Sequence, residues 1–177
     1  RQETEAALRE SEERHRQLVE LSPDMISVQR EGQIVFINPA GVRMLGAESI
    51  DQVIGKPVLD FVVPSWRQTA LQRLELLYQG KSLPAVETRL VRFDGSEVAV
   101  ELVAIAVPHQ PRPTVLGIAR DISDRKRAED ALRASEERYR TVVEASRDVI
   151  YVIPMTTDGN AYEYVSPAAA TVLGFSA

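Results

Sequence analysis

A stretch of this sequence occurs twice, and the repeat restricts the folds that the chain can adopt. Residues 7–28 align without a gap with residues 131–152, and 14 of the 22 positions are identical. After a four-residue insertion in the second copy, the similarity resumes between residues 37–40 and 165–168. A repeat of about 125 residues is too long for a solenoid unit and suits a domain with its connector. We therefore predict tandem copies of one domain.

The repeat also sets the predicted domain boundaries. Residues 1–21 contain no Gly or Pro and are rich in good helix formers, so we predict a helix that ends at Ser22-Pro23. The first domain then covers residues 22–123, and a connector helix covers 124–145. Residues 146–177 would be the start of a second domain. We expect this part to be loosely ordered unless another chain completes it, because half a domain buries too little apolar surface.

The predicted first helix has a narrow apolar stripe of Leu8, Leu18 and Leu21. Such a stripe suits pairing with another helix better than burial in a core. We therefore expect a homodimer that forms through residues 1–21 and, by the repeat, also through 124–145. The sequence begins with Arg1 and not Met, so we expect it to be part of a longer protein. Residues 1–21 resemble the connector 124–145 in the repeat, which predicts a further domain upstream.

Composition removes several classes of function. The 177 residues carry a net charge of −5 with basic and acidic residues interspersed, which argues against nucleic acid and direct membrane contact. There is no cysteine, so thiolate chemistry and disulfides are excluded and a reducing compartment is allowed. No apolar run approaches the roughly 20 residues of a membrane span. We expect a cytoplasmic location, in a parent protein that could itself be membrane-anchored.

Turn and periodicity signals predict an α+β domain with one antiparallel sheet. Glu31-Gly32 predicts a hairpin turn, Asn38-Pro39 a helix start, and Asp94-Gly95 a second hairpin turn. Apolar spacing predicts a helix of about four turns closed by Gly80. The predicted strands are 25–28, 33–38, 84–93, 97–107 and 114–122, and the long helix is 64–79.

Four stretches resemble the PAS domain, a sensor module of bacterial signalling proteins. INPAGVRMLG is similar to the asparagine-led short helix of the family, and VIGKPVLDFV to its glycine and following helical turn. RLVRFDGSEVAVEL resembles the family's long hairpin. GIARDISDRKRAE resembles its last strand and Asp-Ile-Thr ending, with Ser123 in place of Thr. The resemblance covers residues 22–123 and the second copy as far as it runs.

The resemblance implies a five-stranded antiparallel sheet with short helices on one face, flanked by N- and C-terminal helices. It implies a module that detects a small ligand or redox cue and relays it through those helices to an output domain outside this chain. Such outputs are mostly histidine kinases or diguanylate cyclases, in two-component and related pathways. The fragment itself has no convincing catalytic motif, because its one Ser-x-x-Lys match, Ser123 to Lys126, lies among surface charges at a strand–helix junction. The alternative is a ligand-free spacer for dimerisation and relay.

A pocket between sheet and helices is the default ligand site for such a fold. Its polar members would be Asn38 and Thr88, and every other member is apolar. The alternative is that these side chains simply pack one another. The predicted wall consists of Ile26, Val28, Asn38, Met44, Phe61, Trp66, Leu71, Thr88, Leu90, Val100, Leu102 and Ile118.

The sequence narrows the choice of cofactor. Haem is disfavoured because the predicted long helix has no histidine, while His15 is replaced by Tyr139 in the repeat and His109 lies in a Pro-rich loop. The same two histidines make a poor metal set, so no metal site is predicted. A covalent flavin–cysteinyl adduct is excluded without cysteine. A non-covalent flavin, on which Trp66 could stack, and a small apolar ligand both stay open.

By resemblance, the signal leaves the domain where the last strand meets the connector helix. We predict that Asp121, Ser123 and Arg125 take part in this relay, with Asp121 bonded to nearby backbone or to a basic side chain. An acidic group near a helix N-terminus is stabilised by the unpaired amides and the helix dipole. The alternative is a polar cap with no switching role.

Overall fold

A computed structural model describes most of the chain. The chain divides into two compact units, Arg1–Asp124 and Arg125–Ala177. The residues that the structure describes are 2–108, 112–146, 148–152 and 164–173.

The first unit is an α+β domain built on one antiparallel sheet, which confirms the predicted fold class. The strands lie in the order β2-β1-β5-β4-β3, so the first and last strands of the domain are neighbours at the centre. Short helices connect β2 to β3. The elements are α1 (Gln2–Glu20), β1 (Met25–Arg30), β2 (Gln33–Ile37), α2 (Pro39–Met44), 3-10 helices at Ile50–Gln52, Val58–Phe61 and Pro64–Trp66, α3 (Arg67–Tyr78), β3 (Val86–Val91), β4 (Glu97–Ala106) and β5 (Thr114–Asp121).

Both predicted hairpin turns are confirmed. Glu31 and Gly32 adopt φ values of 52° and 83°, the left-handed pair that a two-residue turn between twisted strands requires. At the β3–β4 turn, the Asp94 carboxylate accepts hydrogen bonds from the Ser96 hydroxyl at 2.6 Å and amide at 2.9 Å. These bonds hold the pKa of Asp94 below its ordinary value, because they favour the charged form.

The predicted four-turn helix is wrong in its first turn. Pro64–Trp66 forms a 3-10 helix, and the α-helix begins only at Arg67 and ends at Tyr78. No side chain caps the start of α3, since Trp66 occupies the N-cap position without a capping bond. Gly80 follows the helix with φ of 79°, as a C-terminal stop requires.

One face of the sheet forms the hydrophobic core with the helices between β2 and β3. Phe61 lies tilted against Phe93 with ring centroids 5.4 Å apart. We call this face of the sheet the inner face and the opposite one the outer face. The buried core consists of Met25, Ile34, Ile37, Leu45, Val53, Phe61, Leu90, Val98, Val100 and Ala119.

The connector helix α4 runs from Ser123 to Ala145, one residue earlier than predicted. The second unit adds a two-stranded pair, β6 (Tyr151–Val152) and β7 (Tyr164–Val165), and helix α5 (Ala168–Leu173). The expected looseness of 146–177 falls partly on residues 153–163 and 174–177, outside the described residues, as does His109. No helix among the described residues combines the length and hydropathy needed to cross a membrane.

Candidate functional site

A cavity of about 80 Å³ lies between the inner face of the sheet and the segment that leads into α3. Its roof comes from the 3-10 helix Val58–Phe61, from Trp66, and from one side of α3. The α3 residues on this side recur at helical spacing and include Ala70, Leu74 and Leu77. The wall is mostly apolar, which is the character of a small-molecule site.

Three small residues in register explain why the sheet leaves this space. Ser27 of β1 pairs with Gly117 of β5, and Gly117 pairs with Ala104 of β4. All three line the cavity, so the floor is one row of short side chains across three adjacent strands. A Cβ at Gly117 would lie 3.2 Å from the Ser27 hydroxyl, so even one methyl group would crowd the floor.

The structure brings together four of the twelve predicted pocket residues: Phe61, Trp66, Leu90 and Leu102 line the cavity. The others lie elsewhere. Val100 is fully buried in the core, and Met44 packs against that core.

Leu71 and Thr88 also lie away from the cavity wall. Leu71 is 47% exposed, because it lies about a quarter-turn around α3 from the side that residues 70, 74 and 77 present to the cavity. Thr88 pairs with Val100 between β3 and β4 and is half-buried. The sequence could not separate Leu71 from Leu74, because both belong to one broad apolar pattern.

The prediction is wrong for Ile26, Val28 and Ile118. Side chains alternate along β1, and Met25, Ser27 and Gln29 are the buried set. Ile26 and Val28 therefore point to the outer face, and Ile118 follows because it pairs with Ile26. Apolar character misled the prediction, since two polar residues of this strand, Ser27 and Gln29, face inward.

On the outer face, Ile26 and Val28 line a shallow groove beside α1. Phe36 and Leu116 complete the sheet side of this groove, and His15 lies on the helix side. His15 is an exposed residue of α1, as the Tyr139 replacement in the repeat predicts.

Sequence reasoning missed Ser27, Gln29 and Gly117 as cavity residues. The sequence showed that side chains alternate along β1, but it did not show which of the two alternating sets faces the core. A signal was present in the glycine itself, because Gly in the middle of a strand often marks a close approach or a space.

Asn38 joins four segments at the edge of the core. Its side chain is fully buried, and its Oδ1 accepts hydrogen bonds from the amides of Ile26 at 2.9 Å and Gly41 at 3.0 Å. Its Nδ2 donates to the carbonyl oxygens of Asp24 at 2.9 Å and Val19 at 3.0 Å. The predicted N-cap of α2 is confirmed, and the same amide also fixes the end of α1. It is therefore a structural junction and not part of the cavity wall.

A second contact holds the same junction to β5. The Arg120 guanidinium donates to both carboxylate oxygens of Asp24, with the shortest distance 2.9 Å. This hydrogen bonding and the charge of Asp24 raise the pKa of Arg120. The linker between α1 and β1 is thus attached to the last strand.

At the end of β5, Asp121 caps the connector helix. Its Oδ1 accepts a hydrogen bond from the Ser123 amide at 2.8 Å, where α4 begins. Arg125 pairs with Glu129 at 3.0 Å along the helix. The backbone contact of Asp121 matches the prediction, whereas a switching role for these three residues stays a prediction.

Comparison with known proteins decides the family. A model described as PAS domain matches residues 23–124, and a second model with the same description matches residues 137–177. The chain belongs to the PAS domain family. It is 32% identical to sporulation kinase A of Bacillus subtilis over 139 residues, which are 78% of this chain and 23% of that kinase. The chain therefore spans less than a quarter of this relative.

Solved PAS structures have the same fold. The PAS domain of an HTR-like protein from Haloarcula marismortui is 29% identical, with a TM-score of 0.55, and the match covers 69% of this chain and all of that one. A domain of a sensory box sensor histidine kinase/response regulator from Geobacter sulfurreducens is 26% identical, with a TM-score of 0.56, over 64% of this chain and 96% of that one.

The first unit is therefore a PAS sensory domain of the kind found in histidine kinase-type signalling proteins. PAS domains are generally non-catalytic modules, so chemistry is not expected of the fold itself. In the part of the chain that the structure describes, no group of three or more His, Asp or Glu residues could hold a metal ion.

Proposed function

We propose that this PAS domain detects a small ligand in its inner cavity, in the cytoplasm, and relays the signal to an output domain outside this chain. The observation that carries the proposal is the row Ser27–Gly117–Ala104, which opens a cavity on strands β1, β5 and β4. The cysteine-free sequence is compatible with the reducing cytoplasm.

The proposed relay uses the direct attachment of two cavity strands to the flanking helices. Asn38 connects the amide of Ile26 in β1 to the Val19 carbonyl in α1. Asp121, at the end of β5, holds the first amide of α4. A ligand that favours one arrangement of β1 and β5 would therefore bias the positions of α1 and of the start of α4.

We further propose that two copies of this chain pair through α1 and through α4. Leu18 on α1 is 66% exposed, and Leu21, directly after the helix, is 83% exposed. On α4, Leu132, Tyr139 and Val142 are each more than 60% exposed. Their spacing of seven and then three residues is that of a coiled-coil seam, and identical seams suit a second copy of the same chain.

Sedimentation of Leu18→Glu and Val142→Glu tests this pairing, with Gln17→Glu as a control for added charge.

Filling the cavity tests ligand detection. Ala104→Leu adds bulk to the floor, and Ala99→Leu makes the same change on the outer side of the same strand. A thermal-shift and native mass spectrometry screen of small molecules should yield ligands that stabilise the parent chain and the Ala99 variant but not the Ala104 variant. If no molecule shows this pattern, the ligand-detection proposal fails.

Mutation of Asp121 tests the relay. Asp121→Ala in the full-length protein should change signalling output while the free energy of unfolding falls by about 1 kcal/mol, the usual value of a lost helix cap. A fall of over roughly 2 kcal/mol with unchanged output would make Asp121 purely structural.

One observation supports the alternative of a ligand-free spacer. The cavity measures only about 80 Å³. Most of the core is filled by side chains, and Val98, Val100 and Leu45 are almost fully buried. A cavity of this size favours a small ligand or none over a flavin or haem. A spacer would show no Ala104-dependent ligand but would still change output on Asp121→Ala.

A further inference from the structure

One buried polar atom on the cavity wall has no hydrogen-bond partner among the residues that the structure describes. Gln29 lies on the inner face of β1 and is 8% exposed. Its Oε1 is buried and accepts no hydrogen bond within the part of the chain that the structure describes. Gln29 lines the same cavity as Ser27, Gly117 and Ala104.

Such an atom needs an explanation, because buried polar groups in proteins nearly always have a hydrogen-bond partner. A strand position facing a core would be filled more stably by an apolar residue than by an unpaired amide. Neighbouring positions on this face carry apolar or short side chains, so Gln29 is the long polar exception.

We infer that the cavity binds a small, uncharged, mostly apolar molecule whose hydroxyl or N–H group donates a hydrogen bond to Gln29 Oε1. This inference rests on the proposed ligand detection and specifies its chemistry. It assigns Gln29 as the residue that selects donor-bearing ligands.

The wall disfavours ionic ligands. Among the residues that the structure describes, no acidic side chain lines the cavity, so a cation would be desolvated without compensation. Among the described residues, Arg73 is the one charged side chain on the wall, and one of its N–H groups donates to the Pro84 carbonyl at 2.6 Å. A carboxylate or other fully ionised anion offers only acceptor oxygens, so it could not donate to Gln29 Oε1.

The volume limits the size of the ligand. At about 80 Å³, the cavity is roughly half as large as the engineered apolar cavity of about 150 Å³ that takes benzene. Small alcohols are therefore suitable probes. Isopropanol and acetone share a heavy-atom skeleton, but only isopropanol has a hydrogen-bond donor.

The test is a titration of the full chain with each probe. Binding is monitored through the NMR signals of the Gln29 side-chain amide and of its neighbours. Isopropanol should bind about fivefold more tightly than acetone, the ratio expected for one net hydrogen bond. In Gln29→Leu the ratio should fall to about one, and Gln33→Leu, an exposed change on β2, should keep the parent ratio.

Equal binding of the two probes to the parent chain, or the same ratio in Gln29→Leu, would overturn the inference while leaving the proposed function intact. The inference would also be overturned by a crystal structure, obtained with isopropanol, in which only an ordered water donates a hydrogen bond to Gln29 Oε1. If neither probe nor any screened molecule binds the cavity, the proposed function fails as well.

Stability of the ligand-free chain gives a second readout. Gln29→Leu should keep or raise the melting temperature, because it removes a buried acceptor that has no partner. A fall of about 4 °C or more relative to Gln33→Leu would show that protein groups already satisfy Gln29, and the inference would be wrong.

Discussion

The two copies of the repeat build the same helix–strand junction with different residues. In the first copy, Asn38 bonds the Ile26 amide, the Asp24 carbonyl and the Val19 carbonyl of α1. In the second copy, the aligned Ser166 accepts from the Ile150 amide at 3.0 Å and donates to the Asp148 carbonyl at 3.3 Å. Ser166 is 2% exposed, so it is buried like Asn38.

The difference lies in the bond to the preceding helix. Asn38 has two amide protons and reaches both Asp24 and Val19, whereas a serine hydroxyl has a single proton. Backbone amides close both helix ends: the Leu21 amide donates to the Gln17 carbonyl at 2.9 Å, and the Ser146 amide lies 3.0 Å from the Val142 carbonyl and 3.3 Å from that of Val143. Among the described residues, the side-chain junction to the strand is common to both copies, and the side-chain link to the helix occurs in the first.

Among the substitutions that test this comparison, Asn38→Ala should lower the stability most. The substitution removes all four side-chain bonds at a fully buried position and leaves several backbone groups unpaired. We expect the free energy of unfolding of the first unit to fall by about 3 kcal/mol or more. Chemical denaturation measures it, with Ser49→Ala as control, since Ser49 is an exposed N-cap without a side-chain capping bond. A loss below about 1 kcal/mol would contradict a joining role for Asn38.

Ser166→Ala should have the next largest effect, confined to the second unit. It removes the bonds to Ile150 and Asp148, at a cost of about 1–2 kcal/mol of local stability. The measurement is hydrogen exchange of the Ile150 amide, which should become faster by about tenfold. Unchanged exchange would mean that Ser166 has the same position as Asn38 but does not stabilise its junction.

Asn38→Ser converts the first junction into the second. The bonds to β1 should survive, while the Val19 carbonyl loses its partner, so we expect a cost of about 1 kcal/mol. Amides in the last turn of α1, such as that of Leu21, should exchange about fivefold faster, because the helix end is no longer attached. If Asn38→Ser costs as much as Asn38→Ala, the comparison between the copies breaks down.

Arg120→Gln should have the smallest effect. The Arg120 side chain is 65% exposed, and exposed ion pairs contribute little, so the denaturation midpoint should hardly move. Asp24→Asn should cost a similar amount, and the double variant should show whether the two losses are coupled. A loss of stability as large as that of Asn38→Ala would show that this ion pair, and not Asn38, is the main link at the junction.

Much of the fold was predictable because its signals are local. The Glu31-Gly32 and Asp94-Gly95 turns require left-handed backbone or Asx bonding that few residues supply, and Asn38-Pro39 is a strong helix start. The first turn of the long helix was mispredicted because 3-10 and α conformations share the same composition.

The site was less predictable because it depends on register. Nothing local distinguishes Ile26 and Val28 from Met25 and Ser27 as inward residues, and the choice follows from pairing with β5, far along the chain. Gln29 was missed for the same reason, since a polar residue on a strand is ordinarily assigned to the solvent face.

Composition and short-range backbone preferences encode the repeat, the α+β class, the turns and the order of elements, so all of these are readable from the sequence. The position of the cavity follows only from the assembled sheet, which aligns Ser27, Gly117 and Ala104 across three strands and turns Gln29 inward beside them. The physical reason is that a void arises where short side chains from distant segments meet, and no single segment specifies that meeting.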